Sequence, residues 1–241
     1  MTRRIRVASF IEVDSIRRVE KKDGAAALLF LAVYAVASYF QLKWIPRNEN
    51  YIYLQLAVQS AWLAIIVLFV FLRKQGLSGL GFRKEPVPYI ALGAFTAVAF
   101  AYALWKGSCE IAGRWLFYLV AVGGVEEILF RGFLYPRVAK LLGSPVAALV
   151  VTGLLFGAMH HLAPMAWEHA PWYGVFSQLG GGLVGTLVFL LIYAATENIT
   201  NAILVHAALD YAPYVPFFGW LSVLYIIVWI LCLKRKKRKI Y

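Results

Sequence analysis

Residues 25–42, 52–72 and 87–105 are three long apolar runs without a single Asp, Glu, Lys or Arg. About 20 apolar residues wound as a helix cross the hydrocarbon core of a bilayer, where the backbone has to satisfy its own hydrogen bonds. Further apolar runs at 114–130, 145–160, 174–194, 199–212 and 214–233 continue the pattern. The chain therefore reads as an all-α, polytopic transmembrane helix bundle of about eight spans. The seventh run is short, and the fourth and fifth carry polar residues. With 62% of residues apolar and 15% charged, the chain lies far from the composition of a soluble domain, and no separate soluble domain is expected. There is no internal repeat. The first run is too long for a cleavable signal peptide and reads as an uncleaved first span. Cys109 and Cys232 stand far apart, in no metal-binding or redox spacing.

The net charge of +12 would suit nucleic acid if it formed one patch, but its distribution argues against that partner. With eight spans, only Lys43, Arg47, Lys106 and Arg114 fall on one side, leaving 20 of the 24 Lys and Arg residues on the other. This bias predicts that both termini are cytoplasmic and face anionic inner-leaflet lipid. The organisation expected is a basic N-terminal segment at 1–23, a transmembrane domain at 24–233 and a basic cytoplasmic tail at 234–241. Within residues 1–22, basic and apolar positions alternate (Ile5, Val7, Phe10, Ile11, Val13, Ile16, Val19), as in a surface-lying amphipathic helix or a frayed tail.

Against this apolar background, "VAVGGVEEILFRGFLYP" at 120–136 places two carboxylates and a guanidinium inside a membrane-type helix. A charge near mid-bilayer costs roughly 2.5–3.5 kcal/mol, so such residues face the bundle interior. Glu127 and Arg131 are four apart and share a helix face, which suits an ion pair. Glu126 points about 100° away and has no local cation, the situation of a carboxylate free to act as a general base. Two later helices carry devices of their own. "LLFGAMHHL" sets Phe156 and His160 four apart, and "NAILVHAALDY" does the same for His206 and Asp210. Three polar devices on three apolar helices imply one shared internal site.

The series E-E-x-x-x-R, F-x-x-x-H and H-x-x-x-D resembles the three-motif signature of the CPBP family of intramembrane proteases. These are the type II CAAX prenyl endopeptidases and their bacterial relatives, some linked to bacteriocin processing or immunity. The resemblance covers about residues 114–212. It implies a glutamate-type intramembrane endopeptidase acting on a membrane-associated, C-terminally tagged or prenylated protein or peptide. It also implies that Glu126 and His160 polarise a water, that His206 and Asp210 hold the oxyanion, and that Glu127 and Arg131 set the helix and its electrostatics. Phe156 and Asn201 are supporting positions. An ionised Asp accepts but does not donate hydrogen bonds. Either Asp210 is protonated, or it orients His206 while the imidazole alone donates.

No cofactor and no metal are expected. Glu126, His160 and His206 could in principle form a three-ligand zinc site, but no HExxH is present. Two other functions compete: a proton-coupled transporter, which the lack of an inverted repeat disfavours, and a non-catalytic bacteriocin-immunity protein. A prokaryotic plasma membrane is the expected location. His161 and His169 flank a Pro/Trp-rich loop that reads as an interfacial aromatic belt, and the glycines of "QLGGGLVGT" at 178–186 read as a close helix-packing stripe. One geometric difficulty stands out. With the fourth span ending at 130, Glu126 lies about 18 Å from the outer end of its helix, whereas His160 lies near the outer end of the next. The two meet only if the chain bends at Gly123–Gly124 or at 143–145, or if the boundaries move.

Overall fold

The computed structural model describes residue 11 and residues 13–45 and 51–238, and every regular element within them is helical. Helices α1 (Lys22–Trp44), α2 (Tyr51–Leu72) and α3 (Pro86–Trp105) are followed by a long, composite helical path. It comprises α4 (Cys109–Leu116), a π-helical stretch (Phe117–Gly124), α5 (Val125–Glu127), a second π-helical stretch (Ile128–Leu134) and α6 (Tyr135–Leu142). Then come α7 (Pro145–His160), α8 (Leu162–Trp167), α9 (Phe176–Thr196), α10 (Ile199–Tyr211) and α11 (Phe217–Arg238).

Five segments are long and apolar enough to cross a membrane: Lys22–Trp44, Tyr51–Leu72, Pro86–Trp105, Pro145–Trp167 and Trp172–Thr196. They coincide with five of the eight apolar runs. The other three differ for physical reasons. The run at 114–130 is the interior of the longer composite path, interrupted by charge. Helix α10 has 13 residues, about 20 Å at 1.5 Å per residue, short of the roughly 30 Å core. Helix α11 supplies a shorter apolar stretch, Phe217–Leu231. Large apolar side chains project outward from the long helices, Leu104 at 81% and Leu68 at 58% exposure among them. That is the surface expected against acyl chains rather than water. The chain is an integral, multi-pass membrane protein.

At the centre stands α10. Every residue from Asn198 to Ala208 is buried, and the helix packs against α3, α9, α11 and the first π-helical stretch. A helix covered on all sides belongs in the core of a bundle, where its few polar groups need partners. Its start is fixed by Asn198, whose side chain accepts from the Thr200 N–H at 3.1 Å, a standard N-cap interaction. Helices α7 and α9 cross closely because glycines meet: a Cβ on Gly182 would lie 2.3 Å from the backbone nitrogen of Gly157. Within the stripe it is Gly182 that makes the close approach, whereas a Cβ on Gly180 or Gly181 would meet nothing within 4 Å.

The composite path ends later than the sequence suggested, and this removes the depth difficulty. It runs to Leu142 and turns at Gly143, which adopts φ +66°, as a helix-terminating glycine does. Ser144 then caps α7, accepting from the Ala147 N–H at 3.2 Å. Glu126 precedes this turn by 16 residues and His160 follows the start of α7 by 15, about 24 and 22 Å in an antiparallel pair. They arrive at the same level without a break. Arg131 and Arg137 correspondingly sit within the helix, both 0% exposed, not in a loop after it. Pro136 lies where the second π-helical stretch gives way to α6.

The amphipathic reading of residues 1–22 falls mostly on 1–10 and 12, which lie outside the described residues, as do Arg47 and 239–241. The remainder forms a short 3-10 turn, Asp14–Arg18, with Val13, Ser15 and Val19 buried in the bundle. Tyr193 Oη donates to Ser15 Oγ at 3.1 Å and ties this segment to α9.

Candidate active site

Glu126 and Glu127 occupy the three-residue α5, between the two π-helical stretches. Wider π turns are rare and recur at functional sites. Here they flank the two carboxylates that the chain has to bring against α7, α9 and α10. Gly123 makes the approach to α10 possible. A Cβ at that position would lie 2.7 Å from the Ile203 carbonyl oxygen and 3.0 Å from the Ala207 nitrogen. Both are rigid backbone atoms on either side of His206. Gly123→Ala is accordingly expected to cost about 1–3 kcal/mol through overpacking and to displace His206 from the carboxylates. A thermal-unfolding shift measured in detergent checks the first effect.

The structure brings seven of the eight sequence-derived site residues together. Glu126 Oε2 is 4.0 Å from His160 Nε2 and 3.8 Å from His206 Nε2. It is buried and has no hydrogen-bond partner. His160 Nδ1 lies 2.8 Å from the Phe156 carbonyl oxygen. That contact suits a proton on Nδ1 and leaves Nε2 facing Glu126. The second and third motifs therefore both present an imidazole Nε2 to the same carboxylate.

One partnership differs from the sequence reading. His206 was paired there with Asp210, and Glu127 with Arg131 alone. In the structure His206 Nδ1 donates to Glu127 Oε1 at 2.7 Å, while Asp210 Oδ2 stands 3.6 Å from Nε2, beyond hydrogen-bond length. Glu127 is thus a bridge. The same Oε1 faces Arg131 Nη1 at 3.1 Å, in an ion pair with both side chains 0% exposed. The Glu127–His206 contact joins residues 79 positions apart, so no local spacing could reveal it.

Several contributors carry no motif. Arg131 Nη2 donates to Thr186 Oγ1 at 3.2 Å. Its guanidinium lies over the Phe156 ring at 4.2 Å, an attractive cation–π placement. Phe156 thereby touches both Arg131 and His160, the rings of the latter pair being 4.5 Å apart. Phe189 of α9 stacks on His206 at 4.3 Å with ring planes 13° apart. Thr186 and Phe189 were invisible in the sequence because a Thr and a Phe in an apolar helix have no signature of their own.

Asn201 does not join the cluster. Its Oδ1 accepts from Tyr225 Oη at 2.7 Å, which couples α10 to α11. His161 is also turned away: its Nε2 lies 2.9 Å from the Pro171 carbonyl oxygen, and its ring packs on Gly174. It latches the loop after α8. His169 is exposed, at φ +53°. Among the described residues, no three His, Cys, Asp or Glu side chains are grouped to hold a metal ion.

A cavity of about 220 Å³ opens on Glu126 and His160 and is closed on other sides by side chains of α1, α2, α7 and α8. Fold and site together define a membrane-embedded helical protein with an internal carboxylate–imidazole centre. Residues 108–212, which contain all three motifs, match the family model described as type II CAAX prenyl endopeptidase Rce1-like. Through this segment the chain is similar to the Rce1-like endopeptidases, in keeping with the CPBP resemblance of its motifs. No curated protein and no solved structure matches the chain.

Proposed function

We propose that this chain hydrolyses a peptide bond near the C-terminus of a lipid-anchored or otherwise membrane-associated protein, using a water activated by Glu126 and His160. The observation that carries the proposal is the position of Glu126 Oε2, unpartnered and about 4 Å from two imidazole nitrogens. Separations of this size suit one water hydrogen-bonded between the groups. Glu126 takes a proton from that water while its oxygen bonds to the scissile carbonyl carbon, and the carbonyl electron pair moves onto oxygen. His160 Nε2 accepts the second water hydrogen and orients the attack. His206, as imidazolium, donates from Nε2 to the oxyanion while Nδ1 donates to Glu127. Asp210, 3.6 Å from Nε2, balances that charge without itself donating. Collapse of the tetrahedral intermediate breaks the C–N bond, and Glu126 passes its proton to the departing amine. A single oxyanion donor is worth about 3–4 kcal/mol of barrier. We further propose that both termini face the cytoplasm of a prokaryotic cell, on the distribution of Lys and Arg.

The test is cleavage of a C-terminally farnesylated cysteine peptide by the protein reconstituted in liposomes, with released fragments read by mass spectrometry. Wild type is expected to release the residues after the lipidated cysteine. His160→Ala and His206→Ala are each expected to lower the rate by about 10²–10⁴ while still inserting. Undiminished cleavage in either variant would refute the mechanism.

A further inference from the structure

The cavity has a wall that the motifs do not supply. Helices α1 and α2 lie outside the segment matched to the family, yet they contribute Gln41, Gln55 and Gln59 to the lining that also contains Glu126 and His160. An amide in an apolar helix is costly unless bonded, and three on one wall call for a reason. Gln59 is occupied, its Oε1 accepting from Tyr34 Oη at 3.0 Å. Gln41 and Gln55 engage each other: Gln41 Nε2 donates to Gln55 Oε1 at 2.7 Å. That bond uses only half of each amide. Gln41 Oε1 and Gln55 Nε2 remain without partners, although Gln55 is only 4% exposed. The pair thus leaves one acceptor and one donor unpaired, on two joined side chains of the cavity wall. Rotating both amides by 180° reverses which residue offers which but leaves the same complement, so the conclusion does not depend on the assignment of oxygen and nitrogen.

One acceptor and one donor on a joined pair of side chains match one peptide unit, with its single N–H and single C=O. We propose that Gln41 and Gln55 form a backbone clamp that docks one peptide unit of the substrate in the cavity and so sets which bond lies over Glu126. The clamp rests on the endopeptidase reading and names what that site recognises: neutral, extended backbone carrying apolar side chains. The rest of the lining agrees. Phe130, Phe156, Met159 and Leu162 offer apolar contact, and no Lys or Arg lines the cavity to attract a free terminal carboxylate. Clamping from α1 and α2 also explains why helices without a catalytic motif are built against the site. Gln41 and Gln55 are positioning residues, since the reacting atoms belong to Glu126 and His160.

The experiment uses the farnesylated peptide and a series in which each backbone amide near, but not at, the scissile bond is replaced in turn by an ester. An ester keeps the carbonyl and removes the N–H. Wild type is expected to lose about tenfold in kcat/KM at one position of the series. The variant Gln41→Met/Gln55→Met removes both amides and leaves neither unpaired, so folding is expected to hold, as a retained unfolding temperature would verify. Its kcat/KM for the all-amide peptide is expected to fall about tenfold, and the ester at the sensitive position is then expected to cost nothing more. If the double variant keeps the full amide-to-ester ratio, or if wild type shows no sensitive position, the clamp is overturned and the endopeptidase reading stands. If wild type cleaves none of the peptides, the endopeptidase reading falls and the clamp falls with it.

Discussion

Glu126→Gln is expected to reduce peptide hydrolysis by about 10³-fold or more while leaving the protein as stable as wild type. Glutamine keeps the size and planarity of the side chain and removes only its capacity to take a proton, so the cavity is preserved and the base is lost. General-base catalysis by a positioned group contributes about 10²–10⁴, and here the same carboxylate also returns the proton to the leaving amine, so both halves of the reaction suffer. Stability is expected to hold because Glu126 Oε2 has no hydrogen-bond partner to lose. The carboxylate that forms the buried internal ion pair is its neighbour, Glu127, with Arg131 at 3.1 Å. Rate and unfolding temperature are measured on the same reconstituted sample, which separates loss of chemistry from loss of fold. Glu127→Gln is the informative contrast, since the same change one residue later disturbs a buried charge pair and is expected to lower both quantities. A Glu126→Gln protein that still releases product at the wild-type rate would remove Glu126 from the reaction and leave the cluster without a base.

What could be read from the sequence was whatever repeats within a few residues along a helix. The Glu127–Arg131, Phe156–His160 and His206–Asp210 pairs are four-residue neighbours, and length and hydropathy alone located five of the long helices. The illegible part has three physical causes. Arg131 and Arg137 fall after the expected span end at 130, because buried cations in mid-helix are rare. In fact Arg137 is held by the Phe133 carbonyl oxygen at 2.8 Å and by Gln75, so the composite path runs 12 residues beyond its expected end at 130. The Glu127–His206 bond joins helices distant in sequence. It changes the role of Glu127 from a partner of Arg131 to a bridge that sets the His206 ring. The glutamines of α1 and α2 belong to no motif. Only the packing shows that two of them share one bond and face the cavity. In each case the missing information was which faces of different helices meet, and a one-dimensional pattern does not contain it.

Arg131→Met is expected to be the most destabilising of these substitutions, and for a reason distinct from catalysis. The Arg131 side chain is 0% exposed, paired with Glu127 at 3.1 Å and bonded to Thr186 at 3.2 Å. Its guanidinium lies between the rings of Phe156 at 4.2 Å and Phe189 at 5.5 Å. Methionine fills much of the volume but leaves the Glu127 charge buried with a single partner, His206. Breaking one side of a buried pair costs about 3–5 kcal/mol. In a chain of this size each kcal/mol moves the unfolding midpoint by roughly 2–4 °C, so a fall of about 10 °C is expected in a detergent thermal shift. Arg131→Lys is expected to recover little, because a single ammonium cannot serve Glu127, Thr186 and the two ring faces at once. The double variant Glu127→Gln/Arg131→Met removes both charges, and much of the lost stability is expected to return. Activity is not expected to return with it, since a neutral amide at 127 no longer holds His206 as an imidazolium. Stability that recovers while hydrolysis does not would separate the two duties of Glu127, charge partner to Arg131 and anchor of His206. An Arg131→Met protein that unfolds at the wild-type temperature would mean that this pair does not hold the site together.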